Sequence, residues 1–145
     1  MIEQSYYDIV KSYLVIVESP YAGDVGQNVA YARACIKDCL DRGEYPFASH
    51  LLYTQEGILD DTKPDERQLG IDAGMAWMAA AAKVVVYLDL GLSNGMKYGI
   101  EKASAAGKTI EFRNLDPDKV PMPTPIDFPA RKEDDLLTQI RTGRI

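Results

Sequence analysis

Asp89, Ser93, Asn94 and Gly95 follow closely on the apolar run Val84-Val85-Val86-Tyr87-Leu88. A carboxylate, a hydroxyl, an amide and a glycine in that order suit a polar small molecule. The carboxylate accepts hydrogen bonds, and a helix that starts after the turn presents free backbone N–H groups to anything anionic. His50 is the single histidine and follows a second strand-like stretch. It either bonds a phosphate or a base, acts as an acid near its ordinary pKa of about 6.5, or is tied to neighbouring backbone. Asn28 opens a helix and either points at the ligand or serves the helix start. Tyr21 and Tyr53 either stack on a base or pack as loop aromatics. Arg33 and Arg67 sit near acidic residues and read first as surface ion pairs; Arg67, beside a polar loop, could also meet a phosphate. Cys35 and Cys39 are four apart, but no other cysteine exists and structural zinc takes four ligands. They read as two small buried thiols, and no metal site is expected.

These side chains need a frame to hold them. Residues 13–18 (YLVIVE) and 84–88 are short, apolar and β-branched, as strands buried on both faces are. Residues 45–48 and 109–112 add shorter strands. Between them, residues 26–42 predict an amphipathic helix with Val29, Ala32, Cys35, Ile36, Cys39 and Leu40 inward and Gly43 as its stop. Residues 64–82 predict another, apolar at Leu69, Ala73, Ala76, Trp77 and Ala80, with Trp77 in the core. Residues 96–105 predict a third, capped by Ser93 or Asn94 and stopped by Gly107. The polar stretch 55–65 reads as a loop over the top of the sheet, long enough to act as a lid. Residues 1–12 are an extension or a short helix. Strand–helix alternation of this kind predicts an α/β fold: a Rossmann/flavodoxin-like parallel sheet of about four to five strands with helices on both faces. In such sheets ligands gather at the C-terminal edge. Five prolines between residues 116 and 130 (Pro117, Pro121, Pro123, Pro125 and Pro129) exclude a helix or a central strand there. The chain is therefore divided into an α/β domain, 1–113, and a proline-rich arm, 114–145. The arm is expected to be extended, to end in a short helix over 131–141 and to lie on a neighbouring subunit, which makes a homo-oligomer.

The 145 residues carry a net charge of -6, which argues against non-specific nucleic-acid binding and against docking on anionic lipid. No run approaches the roughly 18 apolar residues of a membrane span. The first residues, MIEQSYYDIVKSY, lack the basic start and apolar segment of a signal peptide. A cytoplasmic protein is expected.

Three motifs stand in order: Ser19-Pro20-Tyr21 with Gly23 after the first strand, Pro46-Phe47-Ala48-Ser49-His50-Leu51-Leu52 after the second, and Leu88-Asp89 with Ser93-Asn94-Gly95-Met96 after the third. Together, over about residues 13–113, they resemble the nucleoside 2-deoxyribosyltransferase-like superfamily. The resemblance implies enzymes that cleave or exchange the N-glycosidic bond of deoxynucleosides or their monophosphates. It implies that Ser19, Tyr21 and Gly23 lie near sugar or phosphate. It further implies that Asp89 faces the nucleoside, and that Ser93, Asn94 and Gly95 hold sugar or phosphate. One departure matters. The transferases carry a nucleophilic Glu just before an Ile that here is Ile100, and the residue at that place is Gly99. A glycine forms no glycosyl ester. Glu101 comes two residues later, about 200° around the helix.

The remaining carboxylates that could reach a pocket are Glu18, Asp24, Glu56 and Asp89. Gly99 costs its helix about 1 kcal/mol against alanine. Either close packing on the sheet or extra room for a bulkier ligand offsets that cost. The expectation is a protein that binds a nucleoside- or nucleotide-like molecule without covalent transferase chemistry and without a cofactor, and that could sequester a nucleotide signal. The alternative is an active N-glycosidase or deoxyribosyltransferase with a displaced carboxylate, Asp89 and Glu101 then being catalytic. A third reading is an assembly protein with an empty pocket, acting through its arm.

Overall fold

The two valine-rich runs pair at the centre of a parallel sheet. In a computed structural model, which describes residues 2–125 and Gly143, four strands form one sheet. They are β1 (Leu14–Glu18), β2 (Tyr45–Phe47), β3 (Lys83–Tyr87) and β4 (Thr109–Arg113), in the order β2-β1-β3-β4 and all parallel. Ile16 lies opposite Val84 and Val17 opposite Val85. Around the sheet run α1 (Ile2–Lys11), α2 (Val25–Asp41), α3 (Ser49–Leu52), α4 (Pro64–Met78) and α5 (Asn94–Ala105). This is the expected Rossmann/flavodoxin-like α/β fold.

Alternation along the strands divides the core in two. Val15, Val17, Val85 and Tyr87 face α2, meeting Tyr31, Cys35 and Cys39. Ile16, Val84 and Val86 face the other way, meeting Met78 of α4 with Met96 and Ala103 of α5. Both sulfur atoms are free thiols inside the first cluster. Gly43 and Gly107 end α2 and α5 with positive φ (81° and 69°), a conformation that costs glycine little. In each case the closing N–H groups reach back to the last free carbonyls, Glu44 to Cys39 and Lys108 to Ala103.

The phase of α4 differs from the sequence expectation. Its inner stripe is Ile71, Gly74, Met75 and Met78, and Leu69 is exposed. Trp77 is not in the core: it is 53% exposed, donates through Nε1 to the Tyr53 hydroxyl at 3.0 Å and lies 5.3 Å from the Phe47 ring centre. The reason is Gly74. A Cβ there would stand 2.6 Å from Ser49 Oγ and 2.9 Å from Ser49 Cβ. The small residue lets α3 and α4 touch, which turns the tryptophan outward. In α2 the buried stripe includes Tyr31, and Leu40 is exposed.

The described part of the arm lies on its own domain. Leu115 joins the α2-side core, Gln27 Nε2 donates to Pro121 O at 3.0 Å, and Thr124 N donates to Asp24 at 2.8 Å. Pro129 and the helix expected over 131–141 fall outside the described residues. Among the described residues no helix is long and apolar enough to cross a membrane.

Candidate functional site

Where β1 ends, the chain must leave the sheet between two neighbours, β2 and β3. The strand order places this exit at the point where successive connections run to opposite sides, so a crevice opens there. Gly23 turns the exit loop at φ 103°. Asp24 then caps α2 by accepting from Gln27 N at 3.1 Å. Buried Asn28 holds the loop from behind, its Nδ2 donating to the carbonyls of Tyr21 (2.8 Å) and Ala22 (3.1 Å). Asn28 therefore shapes the loop and does not line the crevice.

The crevice has a volume of about 680 Å³. One wall is the β1 exit, with Glu18, Ser19, Tyr21 and Gly23. A second is α3, with Ser49 and His50. The third is α4, with Arg67, Gln68, Ile71 and Met75. The fourth is the start of α5, with Ser93, Asn94, Gly95 and Tyr98. Seven of the residues singled out in the sequence thus come together: Ser19, Tyr21, Gly23, His50, Ser93, Asn94 and Gly95. Ser93 caps α5 by accepting from Met96 N at 3.2 Å. The amides of Asn94 and Gly95, in the first turn, have no acceptor within the helix. Arg67 stands over that turn, its Nη2 4.0 Å from where a Gly95 Cβ would be, and its guanidinium lies 3.6 Å from Asp61. Two free helix N–H groups and a guanidinium thus meet on the crevice, with the Asp61 carboxylate beside them.

The crevice also holds two titratable groups shifted by burial, His50 and Glu18. His50 Nε2 and Ser19 Oγ share a hydrogen bond of 2.7 Å. Burial pushes the His50 pKa down to about 4, so the ring is neutral at pH 7. Glu18 shows the opposite effect of the same cause: loss of water pushes its carboxyl up to about 8. Gly99 explains how it fits. A Cβ at position 99 would lie 2.3 Å from Glu18 Oε1 and 2.8 Å from Cδ. The notch in α5 is filled by the protein's own carboxyl group.

A folded-state pKa above the unfolded value of 4.5 means that the folded protein holds this proton more tightly. The cost of ionising Glu18 is absent below about pH 4.5 and accumulates up to about pH 8. Glu18→Gln is therefore expected to raise the melting temperature progressively across that window and then level off. Melting curves from pH 5 to 9 check this; a difference that ignores pH would show that the carboxyl is not desolvated.

Besides Glu18, Asp61 is the carboxylate in the lining; the others considered in the sequence stand elsewhere. Asp89 does not line the crevice. It accepts from the Tyr31 hydroxyl at 2.6 Å and from Leu115 N at 3.0 Å. Glu101 is exposed on α5 outside the lining, Glu56 borders an adjoining groove beside residues 54–63 that shares Tyr21, Gly23 and Asp61 with the crevice, and Asp24 is bonded to Thr124. Tyr53 packs with Phe47 and Trp77. Ile71 and Met75 are lining residues that the sequence does not single out, and Arg67, read first as a surface ion pair with a phosphate as the alternative, joins them. Their spacing of four along α4 marks one face, but the tryptophan drew attention to a different one. Among the described residues no group of three His, Cys, Asp or Glu is placed to hold a metal ion.

The sheet order and the crevice at its C-terminal edge define a small parallel α/β domain of the flavodoxin-like class. The chain belongs to the DUF7768 family, a domain of unknown function, whose pattern matches residues 13–113. No curated protein and no solved structure matches it.

Proposed function

We propose that the protein binds a nucleoside- or nucleotide-like small molecule in this crevice and does not form a covalent glycosyl intermediate. The supporting observation is the meeting, on one crevice, of groups suited to an anion and a partly apolar interior. Arg67 and the first turn of α5 supply the former; Tyr21, Ile71 and Met75 supply apolar surface for a base. A volume of about 680 Å³ suits a molecule of that size. The resemblance to the nucleoside 2-deoxyribosyltransferase-like superfamily supports the same ligand class. Gly99 supports binding without a covalent step, because that position of α5 offers no carboxylate and Glu101, two residues on, is exposed outside the crevice lining. Retention without turnover would suit sequestering a nucleotide signal.

Calorimetric titration against nucleosides, their 5′-monophosphates and cyclic nucleotides tests the reading. Saturable binding of at least one member is expected, and no binding by any of them overturns it. Arg67→Ala is expected to weaken binding of a monophosphate about 10- to 100-fold, the worth of one charge-assisted contact, and to leave the matching nucleoside within about twofold. Equal losses for both would remove Arg67 from the phosphate end.

A second reading, an N-glycosidase with a displaced carboxylate, is favoured by one observation. Glu18 lines the crevice as an acid, whereas Asp89 and Glu101 do not line it. Incubation with deoxynucleoside monophosphates and chromatography for free base decides between them. Turnover that disappears in Glu18→Gln favours the enzyme.

A further inference from the structure

Among the cleft's ionisable side chains, Glu18 is the one whose position needs explaining. Its carboxyl has no hydrogen-bond or ion-pair partner among the described residues. A carboxylate left so in a partly buried place is costly unless it is protonated or meets a ligand. The notch that receives it is not incidental. A mid-helix glycine costs about 1 kcal/mol relative to alanine. An alanine here would put its Cβ 2.3 Å from Oε1 and 3.1 Å from Oε2 of that carboxyl.

We propose that Glu18 is the hydrogen-bond-donating acid of the cleft: seated in the notch of Gly99, it meets an acceptor atom of the ligand, a ring nitrogen or a sugar oxygen, in its neutral form. This deepens, and rests on, the nucleoside-like reading of the crevice. The device delivers the acid from strand β1, while position 99 of the helix facing it contributes only space.

The groups around Glu18 agree with a neutral acid. From its own strand exit comes Ser19, bonded to His50. From α3 comes His50, kept uncharged at neutral pH by burial. Arg67 of α4 is the one cation in the lining, and it is paired at 3.6 Å with Asp61, which precedes that helix. From α5 comes Tyr98, the one ionisable lining side chain of that helix. Loss of water is what moves the Glu18 carboxyl, with no charged neighbour contributing. Binding an acceptor atom therefore requires the proton to be present, and ionisation at higher pH would set a negative charge against it.

Two measurements test this, and they fail separately. In the free protein, carbon-13 NMR of labelled glutamate carboxyls is followed from pH 4 to 10, with Glu18→Gln identifying the signal. An inflection near about 8 is expected. In Gly99→Ala, where the added methyl expels the carboxyl, the inflection moves toward 4.5. An ordinary inflection in the unaltered protein overturns the seated acid.

In the second measurement, the tightest-binding member of the nucleotide panel is titrated at pH 7 and pH 9. Affinity is expected to fall about tenfold, the ratio for a site that binds only when a group of pKa about 8 is protonated. Glu18→Gln, whose amide still donates, is expected to bind with no such fall. A tenfold fall that persists in Glu18→Gln overturns the role of Glu18 toward the ligand. Binding by no panel member at either pH overturns that role along with the nucleotide reading, while the NMR titration still sustains or overturns the seated acid.

Discussion

Arg113→Met is expected to lower the free energy of unfolding by about 3–5 kcal/mol, the usual cost of removing one partner of a buried ion pair. Arg113 closes β4 and is buried, and so is Glu44 in the turn before β2. The guanidinium grips that carboxylate with both arms, Nη1 to Oε1 at 2.6 Å and Nη2 to Oε2 at 2.7 Å, and its Nε reaches Glu111 at 3.1 Å. Lys83 joins from β3, 3.1 Å from Glu44 and 2.7 Å from Glu111. Methionine matches the stem but leaves Glu44 facing Lys83 alone. Urea denaturation measures the loss, and a change below about 1 kcal/mol would mean that water reaches the pair. Adding Glu44→Leu is expected to recover most of the stability, since apolar pairs replace buried ion pairs at little cost.

The same cluster sets the acid limit. Arg113 holds the Glu44 carboxyl below its ordinary range and brings Glu111 down to about 2. Depressed carboxylates contribute stability that is complete above about pH 4.5 and is lost as pH falls toward 2. In Arg113→Met that acid-dependent loss is expected to be smaller.

Asp89→Ala is expected to cost about 2–4 kcal/mol, with little change in ligand affinity of the folded protein. Two buried groups lose their acceptor, the Tyr31 hydroxyl and the Leu115 amide, at about 1–3 kcal/mol each when unsatisfied. Asp89 thus ties α2 and the start of the arm to the end of β3. Denaturation midpoints combined with calorimetry check the prediction. A large loss of affinity without loss of stability would return Asp89 to the ligand.

What was legible in the sequence follows from how each signal arises. Val15–Val17 and Val84–Val86 read as central strands because burial on both faces demands continuous apolar residues. Gly43 and Gly107 marked helix ends because positive φ is a backbone requirement felt at one position. That seven of the selected residues line one crevice was legible because loops after parallel strands converge on one edge. Other features depended on partners far away in the chain. Asp89 looks ligand-directed at a strand end, yet its bonding partner Tyr31 is 58 residues distant. The vacancy at Gly99 was visible as a missing side chain, but nothing local says that Glu18 fills it. The face of α4 was misassigned because Gly74 reads as a gap in an apolar stripe, when it is the point of tightest approach.

The arm has a practical consequence for how the molecule is divided. The family match stops at residue 113, two positions short of Leu115, which is packed among Val15, Val17 and Val85. A fragment trimmed to the match would open a hole in its own interior and strand the amide acceptor at Asp89. It would also drop the peptide that staples Gln27 and Asp24. The packed interior therefore runs past the family boundary to Leu115, and the contacts of the arm with the domain run on to Thr124.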